Sequence, residues 1–117
     1  MLKYHICSNG SKAAEIIAGK ETIHGPDEML DFMAEASLND AEKIIIHSHN
    51  LDPGFFDLRT GLAGEILQKF SNYRMKLSII GDFKSYISRS LNDFIRESNR
   101  NGLVTFVTSI SEVTGKI

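Results

Sequence analysis

The segment Lys43-Ile44-Ile45-Ile46-His47 (residues 43–47) decides the fold class, because it is the strand-like segment in which successive residues are apolar. A strand with two buried faces has this continuous pattern. The segment Met75 to Ile80, in contrast, alternates apolar residues with Lys76 and Ser78. We therefore expect helices to cover one face of the sheet and to leave the other face partly open.

On both sides of this segment, strand patterns and helical patterns follow one another along the chain. Asn9-Gly10 predicts a tight turn between two strands, because both residues accept a positive φ. Apolar residues at helical spacing predict the helices. The predicted order is β-β-α-β-α-β-α-β-α, with strands at 2–7, 13–18, 43–47, 75–80 and 103–107 and helices at 26–38, 60–72, 85–99 and from 110. The third helix is predicted to turn inward Ile87, Leu91, Phe94 and Ile95.

This order of elements limits the topology of the sheet. Strands that alternate with helices predict parallel β-α-β units after the N-terminal hairpin, and the crossovers in such units are right-handed. Helices then share one face only if successive strands are added in one direction, whereas a doubly wound sheet carries helices on both faces. We therefore predict an α/β fold, a sequential β-α superhelix, formed by a single domain over residues 1–117.

The composition limits the function classes. The hydrophobic fraction is 42%, and the formal net charge is −2. A slightly acidic chain does not have the excess of positive charge that binding to nucleic acid or to an anionic membrane usually requires. The single cysteine, Cys7, can form neither an internal disulfide nor a cysteine metal cluster. The start, MLKYHICSNG, lacks the apolar core of a signal peptide, and no run reaches the length of a membrane span. We therefore expect a cytoplasmic protein with no nucleic-acid or membrane partner.

Residues 56–67, FDLRTGLAGEIL, resemble the strand-to-helix junction of STAS domains, the sulfate-transporter and anti-sigma-factor-antagonist modules. That junction typically reads Phe-x-Asp-Ser-Ser/Thr-Gly-Leu, and the resemblance implies an STAS-like β-α superhelix with a regulatory or protein-interaction role. Anti-sigma-factor antagonists are switched by phosphorylation of the first hydroxyl residue of the junction. Aligned on Gly61, this chain has Arg59 at that position and Thr60 at the second, with an extra residue after Asp57. Because arginine cannot form a phosphate ester, we interpret Thr60 as the helix N-cap in preference to a phosphorylation site.

A longer part of the chain is similar to a second family. The run FFDLRTGLAGEILQKFSNYRMKLSIIGDF (55–83), followed by SRSLNDFIRESNRNG (88–102), resembles a mainly bacterial family known as domain of unknown function 4180. This similarity spans nearly the whole chain. It implies an STAS-like fold, and it brings no activity with it.

The start of the second helix is the principal candidate site. Free N–H groups and the positive end of the helix dipole favour an anion at this position. Arg59, beside Thr60 and Gly61, has the chemistry to bind phosphate or carboxylate through two hydrogen bonds. The alternative is a capped helix with an arginine that faces solvent. Phe55 and Phe56 in the preceding loop either anchor a partner or close the core.

The pair His47 and His49 raises the question of a metal ion. Both side chains project to the same face if the third strand extends that far. A metal site normally needs three or four ligands, so Asp52, Asp57 or Asp82 would have to supply a carboxylate. We therefore predict no metal ion and no other cofactor, and we keep His47 and His49 as the metal alternative.

Two functions from different classes remain open at this stage. The first is a non-catalytic regulatory or protein-interaction module that binds a protein partner or a second copy, with the open sheet face as a homodimer surface. The second is a small-ligand protein or enzyme that holds an anion or nucleotide at the start of the second helix. A pocket lined by Arg59, Thr60 and His47 would favour the second. The residues expected to bind in either case are Phe55, Phe56, Asp57, Arg59, Thr60 and Gly61.

Overall fold

The computed structural model describes residues 1–116, and within them strands and helices follow one another in the predicted order. The strands are β1 (Leu2–Ile6), β2 (Lys12–Ile16), β3 (Lys43–His47), β4 (Lys76–Ile80) and β5 (Val104–Val107). The helices are α1 (Pro26–Leu38), α2 (Leu62–Asn72), α3 (Arg89–Asn101) and α4 (Ile110–Thr114). Ile117, the last residue of the predicted domain span, lies outside the described residues.

The five strands form one mixed sheet in the order β1-β2-β3-β4-β5. β1 pairs antiparallel with β2, and the β2–β3, β3–β4 and β4–β5 pairs are parallel. The predicted N-terminal hairpin and the sequential strand order are therefore confirmed. Because each parallel strand is added on the same side of the sheet, right-handed crossovers return the connecting helices to one face.

The larger hydrophobic core lies on the sheet face that α1, α2 and α3 cover. Ile44 and Ile46 of β3 belong to this core together with Met29 of α1 and with Ile66 and Phe70 of α2, and all five side chains are fully buried. Burial of a side chain of this size contributes about 1.5–3 kcal/mol. This core therefore holds α1, α2 and α3 on one face, which agrees with the prediction that the helices lie mainly on one face, whereas α4 lies on the other.

The smaller core lies on the opposite face of the sheet, under α4. Ile45 of β3 and Ile80 of β4 are buried there, and Ile110 and Val113 of α4 pack against this cluster. The continuous apolar pattern of β3 is thus explained, because successive residues of this strand enter two different cores. Among the described residues, α4 is the only helix that contributes to this cluster, and the face is open at Lys3 of β1, which is exposed.

The second helix begins later than predicted. α2 starts at Leu62, and the residue in the N-cap position is Gly61, at φ 79°, with no side-chain cap. The N-cap position predicted for Thr60 is therefore wrong, because Leu58–Thr60 form a separate 3₁₀ turn, although the Thr60 hydroxyl still accepts a hydrogen bond from the Leu62 N–H at the helix start. A glycine at Gly61 suits this left-handed backbone, which other residues adopt only with strain.

The third helix also begins later than predicted. Ser88 caps α3, since its hydroxyl accepts a hydrogen bond from the Leu91 N–H at 3.2 Å. Serine is a preferred N-cap because this bond satisfies an otherwise unpaired amide. Ile87 consequently precedes the helix and is 98% exposed. The predicted inward position of Ile87 is wrong, whereas Leu91 is buried as predicted.

The parallel strands β2 to β5 all end at one edge of the sheet, which we call the carboxyl edge. The loop after β3, Ser48 to Gly61, lies there and contains three 3₁₀ turns. Buried Asn50 ties this loop to the loop after β2, because its side-chain amide donates to the carbonyl oxygens of Gly19 (3.0 Å) and Glu21 (2.8 Å). Open α/β sheets bind ligands at this edge, and the predicted site residues lie in its longest loop.

Candidate functional site

Two aspartates shape the loop that carries the candidate site. Asp52 accepts a hydrogen bond from the Gly54 N–H at 2.8 Å, and Asp57 accepts one from the Arg59 N–H at 3.2 Å. His24 lies against the other oxygen of Asp52, with Nδ1 at 3.1 Å from Oδ2. The Gly54 amide, followed by His24, lowers the pKa of Asp52. Both carboxylates therefore stabilise the local conformation of this loop.

Arg59 forms an ion pair with Asp57 through two hydrogen bonds. Arg59 Nε donates to Oδ1 at 3.0 Å and Nη2 donates to Oδ2 at 2.9 Å, a geometry in which the guanidinium fork matches the carboxylate. The side-chain hydrogen bonds from Arg59 lower the pKa of Asp57, and Asp57 raises the pKa of Arg59. The Arg59 side chain is 91% exposed. An external anion would therefore have to compete with Asp57 for this guanidinium.

The hydroxyl of Thr60 is engaged with the backbone of its own loop. Its Oγ1 lies 2.6 Å from the Gly54 carbonyl oxygen and 2.9 Å from that of Asp57, so it donates into this pair of acceptors. It also accepts a hydrogen bond from the Leu62 N–H at 3.2 Å. Phosphorylation would remove the hydroxyl proton on which the two carbonyl contacts depend. Modification of Thr60, which the sequence already disfavours, stays untested, and these contacts give it no support.

The two neighbouring phenylalanines have different surroundings. Phe55 is fully buried in the larger core, whereas Phe56 is half-buried. Phe56 stacks on Tyr86, with ring centroids 5.3 Å apart and ring planes at 20°. Ile87 directly follows Tyr86 and is exposed. We call Phe56, Tyr86 and Ile87 the Phe56 patch, a stacked aromatic pair and the exposed isoleucine that follows it in the chain, at the carboxyl edge.

Sequence reasoning missed two members of the Phe56 patch. Tyr86 and Ile87 were assigned to the third helix, whose apolar spacing extends back to this point. Ser88, an N-cap residue type three residues before buried Leu91, is the signal that could have placed the helix start correctly. If the helix starts after Ser88, Ile87 lies in the preceding loop and becomes a candidate residue for contact with a partner.

An open groove lies on each side of Phe56. The larger has a volume of about 570 Å³, and its lining is formed by Phe56, Asp57, Leu58, Arg59, Ser88 and Ser90. The smaller has a volume of about 250 Å³, and its lining is formed by Thr22, Ser48, His49, Leu51, Pro53, Phe56 and Tyr86. His47 lines neither groove. The structure thus brings Phe56, Asp57 and Arg59 together, and it does not bring His47 to the same groove.

A second polar cluster, which the sequence did not indicate, lies on the open part of the smaller-core face. Glu15 of β2 accepts hydrogen bonds from two histidines on the flanking strands, from His5 Nε2 to Oε1 at 2.8 Å and from His47 Nε2 to Oε2 at 2.7 Å. We call these residues the His-Glu-His cluster. Burial acts to raise the pKa of Glu15, but the hydrogen bonds and charges of His47 and His5 outweigh burial, and the pKa is lowered.

The histidine pair considered as a metal alternative is only partly assembled. The rings of His47 and His49 are neighbours, with centroids 5.7 Å apart, but His47 Nε2 is bound to Glu15. Asp82 accepts a hydrogen bond from the Lys84 N–H at 3.1 Å in its own loop. Within residues 1–116, no group of three or more His, Cys, Asp and Glu side chains is arranged to hold a metal ion.

Comparison with known proteins adds a family relationship. The sequence model of the family described as domain of unknown function (DUF4180) matches residues 8–117. No curated protein and no solved structure matches the chain. Within residues 1–116, no helix has both the length and the hydrophobicity needed to cross a membrane.

Proposed function

The chain belongs to the family described as domain of unknown function (DUF4180), and from this premise we propose that it is a non-catalytic protein-interaction module whose partner binds at the carboxyl edge. The Phe56 patch carries this proposal. It combines a stacked, half-buried aromatic pair with Ile87, which is 98% exposed. Aromatic anchors held by their neighbours are typical of the residues that dominate binding energy in protein interfaces.

The charges around the patch support a protein partner over a free anion. Asp57 and Arg59 lie beside Phe56 in the larger groove and neutralise each other. An apolar centre with a polar, balanced rim is the usual composition of a protein interface. A small anion, the alternative ligand, would have to displace Asp57 from the guanidinium, and the Thr60 hydroxyl is already bound to two carbonyl oxygens.

The finer parts of the proposal concern fold family and regulation. We propose that the fold is an STAS-like superhelix and that it forms a single domain in the cytoplasm. We also propose the regulatory role that the STAS resemblance implies. The sequential strand order and the position of the junction at the carboxyl edge support this part. Binding of a second copy of the chain through the open sheet face is a separate, alternative proposal, because it uses a different surface.

The test is affinity capture from a lysate of the native cell, with the wild-type chain and Ile87→Asp as baits and mass spectrometry as the readout. We expect at least one protein to bind the wild type and to be depleted about tenfold or more with Ile87→Asp, because a carboxylate would be buried in an apolar contact.

Ile6→Asp is the control, since Ile6 is also an exposed apolar residue, at 50%, but ends the antiparallel strand β1 at the opposite edge. It should retain the protein that Ile87→Asp loses. Equal loss with both variants would contradict the proposal. A stoichiometric small molecule that co-purifies with the wild type in place of a protein would contradict it in favour of ligand binding.

A further inference from the structure

We infer that the groove between the C-terminal ends of α1 and α2 is a second docking site, and that its occupant is a basic amphipathic helix of a partner protein. Leu38 ends α1 just before β3, and Tyr73 follows α2 just before β4, so this groove lies at the edge opposite the Phe56 patch. The inference goes beyond the proposed function and does not depend on it.

The shape and lining of the groove favour apolar side chains. Its volume is about 600 Å³, within the range of roughly 300–1,000 Å³ that is typical of ligand pockets. Leu38 and Tyr73 border it and are 86% and 65% exposed. The lining residues are Leu30, Asp31, Met33, Ala34, Ser37, Leu38, Tyr73 and Met75. An open apolar groove between two helices is the type of surface that binds the apolar face of a third helix.

The charge of α1 determines which kind of helix fits. This helix carries four acidic residues and no basic residue, and three of the acids, Asp27, Asp31 and Glu35, are spaced four residues apart on one exposed ridge. None of the ion pairs between described residues includes them. Like charges at this spacing repel one another. Basic residues of a bound helix would relieve that repulsion, and Asp31 lines the groove itself.

The ridge also indicates the length and orientation of the occupant. From Asp27 to Glu35 the helix rises about 12 Å. To reach all three acids, the partner helix therefore needs at least about two turns, with a lysine or arginine in each turn. Lys69 and Arg74 flank Tyr73 on the α2 side of the groove. The lysine or arginine residues of the occupant are therefore expected to face α1. A second copy that docks through its own α1 would place acids against acids, which disfavours self-association here.

The test uses a defined probe, a fluorescent peptide of about 14 residues built from leucine and lysine, with leucine on one helical face. We expect saturable binding to the wild-type chain in fluorescence anisotropy. Amide hydrogen exchange should slow in α1 and in residues 70–75 when the peptide is present. The same peptide with glutamate in place of lysine should not bind.

Three variants separate specific docking from general attraction to an acidic surface. Leu38→Asp should weaken binding about tenfold although it adds negative charge, because it removes an apolar contact. The double variant Asp31→Lys, Glu35→Lys should weaken binding by a similar factor. Ile87→Asp, at the carboxyl edge, should bind as the wild type does, and thermal melts confirm that each variant is folded.

Two outcomes would overturn this inference. If Leu38→Asp binds the peptide as tightly as the wild type, the attraction is general electrostatics and the groove is not a docking site. If sedimentation velocity shows a dimer that Leu38→Asp dissociates, the groove is a contact between copies of this chain. Either result leaves the proposal for the Phe56 patch standing, because that proposal depends on the effect of Ile87→Asp and not on the effect of Leu38→Asp.

Discussion

At the scale of single residues, the Arg59–Asp57 pair and the His-Glu-His cluster differ in how many elements of the fold they connect. Arg59 and Asp57 are neighbours in one exposed loop, so their ion pair restrains only a few residues. Glu15, in contrast, connects β1, β2 and β3 through His5 and His47. Its side chain is 12% exposed, and a buried carboxylate depends on its hydrogen-bond partners. Substitutions in the two clusters should therefore have different consequences.

The first prediction concerns Glu15→Gln, which keeps the size of the side chain and removes its charge. At pH 7 we expect the free energy of unfolding to fall by about 1–3 kcal/mol, the usual range for a lost hydrogen bond to a charged group. Urea unfolding followed by circular dichroism measures this difference. Glu42→Gln, the same substitution at an exposed position, is the control and should change stability little.

The effect of Glu15→Gln should also depend on pH. The folded-state pKa of Glu15 lies below its ordinary value of 4.5. The ionised carboxylate therefore stabilises the fold fully above pH 4.5. This contribution is lost as the pH falls through the folded-state pKa. The difference between wild type and variant should therefore shrink below pH 4.5. A difference that stays constant down to pH 3 would refute this role of Glu15.

A second prediction at this scale concerns Arg59→Ala. The Arg59–Asp57 pair is exposed and local, and ion pairs of this kind contribute little to stability because solvent screens them. We expect the melting temperature to change by no more than a few degrees, while capture of the partner at the carboxyl edge weakens. A large loss of thermal stability would show instead that Arg59 supports the fold.

At the scale of elements, the starts of α2 and α3 determine which side chains are exposed at the carboxyl edge. Because α2 starts at Leu62, Arg59 and Thr60 belong to a turn instead of a helix. Because α3 starts at Arg89, Ile87 is left at the surface. The loop after β4 is also packed closely on the loop after β3, since a Cβ atom at Gly81 would overlap the side chain of Ser48.

The third prediction tests this close packing. Gly81→Ala should lower the free energy of unfolding by about 1–3 kcal/mol, because the added methyl group must displace Ser48 or shift the loop. In a Ser48→Gly background the same change should cost clearly less, since the overlapping atoms are absent. A double-mutant cycle from urea unfolding measures the difference. Equal costs in both backgrounds would mean that Ser48 is not the obstacle.

At the scale of the whole molecule, the sheet separates two cores of unequal size. The larger core contains side chains of three helices, including fully buried Phe70. The smaller core contains a few buried residues under α4, where Ile110 is only half-buried. Most of the stability should therefore come from the larger core, and α4 should contribute less.

The fourth prediction compares truncations in the two cores. Phe70→Ala should cost about 3–5 kcal/mol, the usual range for loss of a buried phenylalanine. Ile110→Ala should cost less, about 1–2 kcal/mol, because part of its side chain stays in water in the folded state. Thermal or urea unfolding of the two variants gives the ranking. A reversed ranking would contradict the assignment of the larger core as the main source of stability.

Much of the fold could be predicted from the sequence, and the candidate site only in part. The hairpin and the sequential strand order follow from local alternation and from right-handed crossovers, and the limits of β3 follow from its continuous apolar run. The helix starts could not be located to the residue, because apolar spacing continues into the loop at Ile87. The His-Glu-His cluster was missed because its members are 10 and 32 residues apart in sequence and meet only through strand register.

The sequence by itself determined the elements, their order and the sheet face that the helices cover, because these depend on local periodicity and on chirality. Only the tertiary structure decided that Arg59 is paired with Asp57, that Phe55 is buried while Phe56 faces a groove, and that Glu15 lies between two histidines. The physical reason is that the burial of Phe55 and the contacts of Glu15 depend on segments distant in sequence, while the Arg59–Asp57 pair depends on the exact conformation of its turn, and periodicity encodes neither.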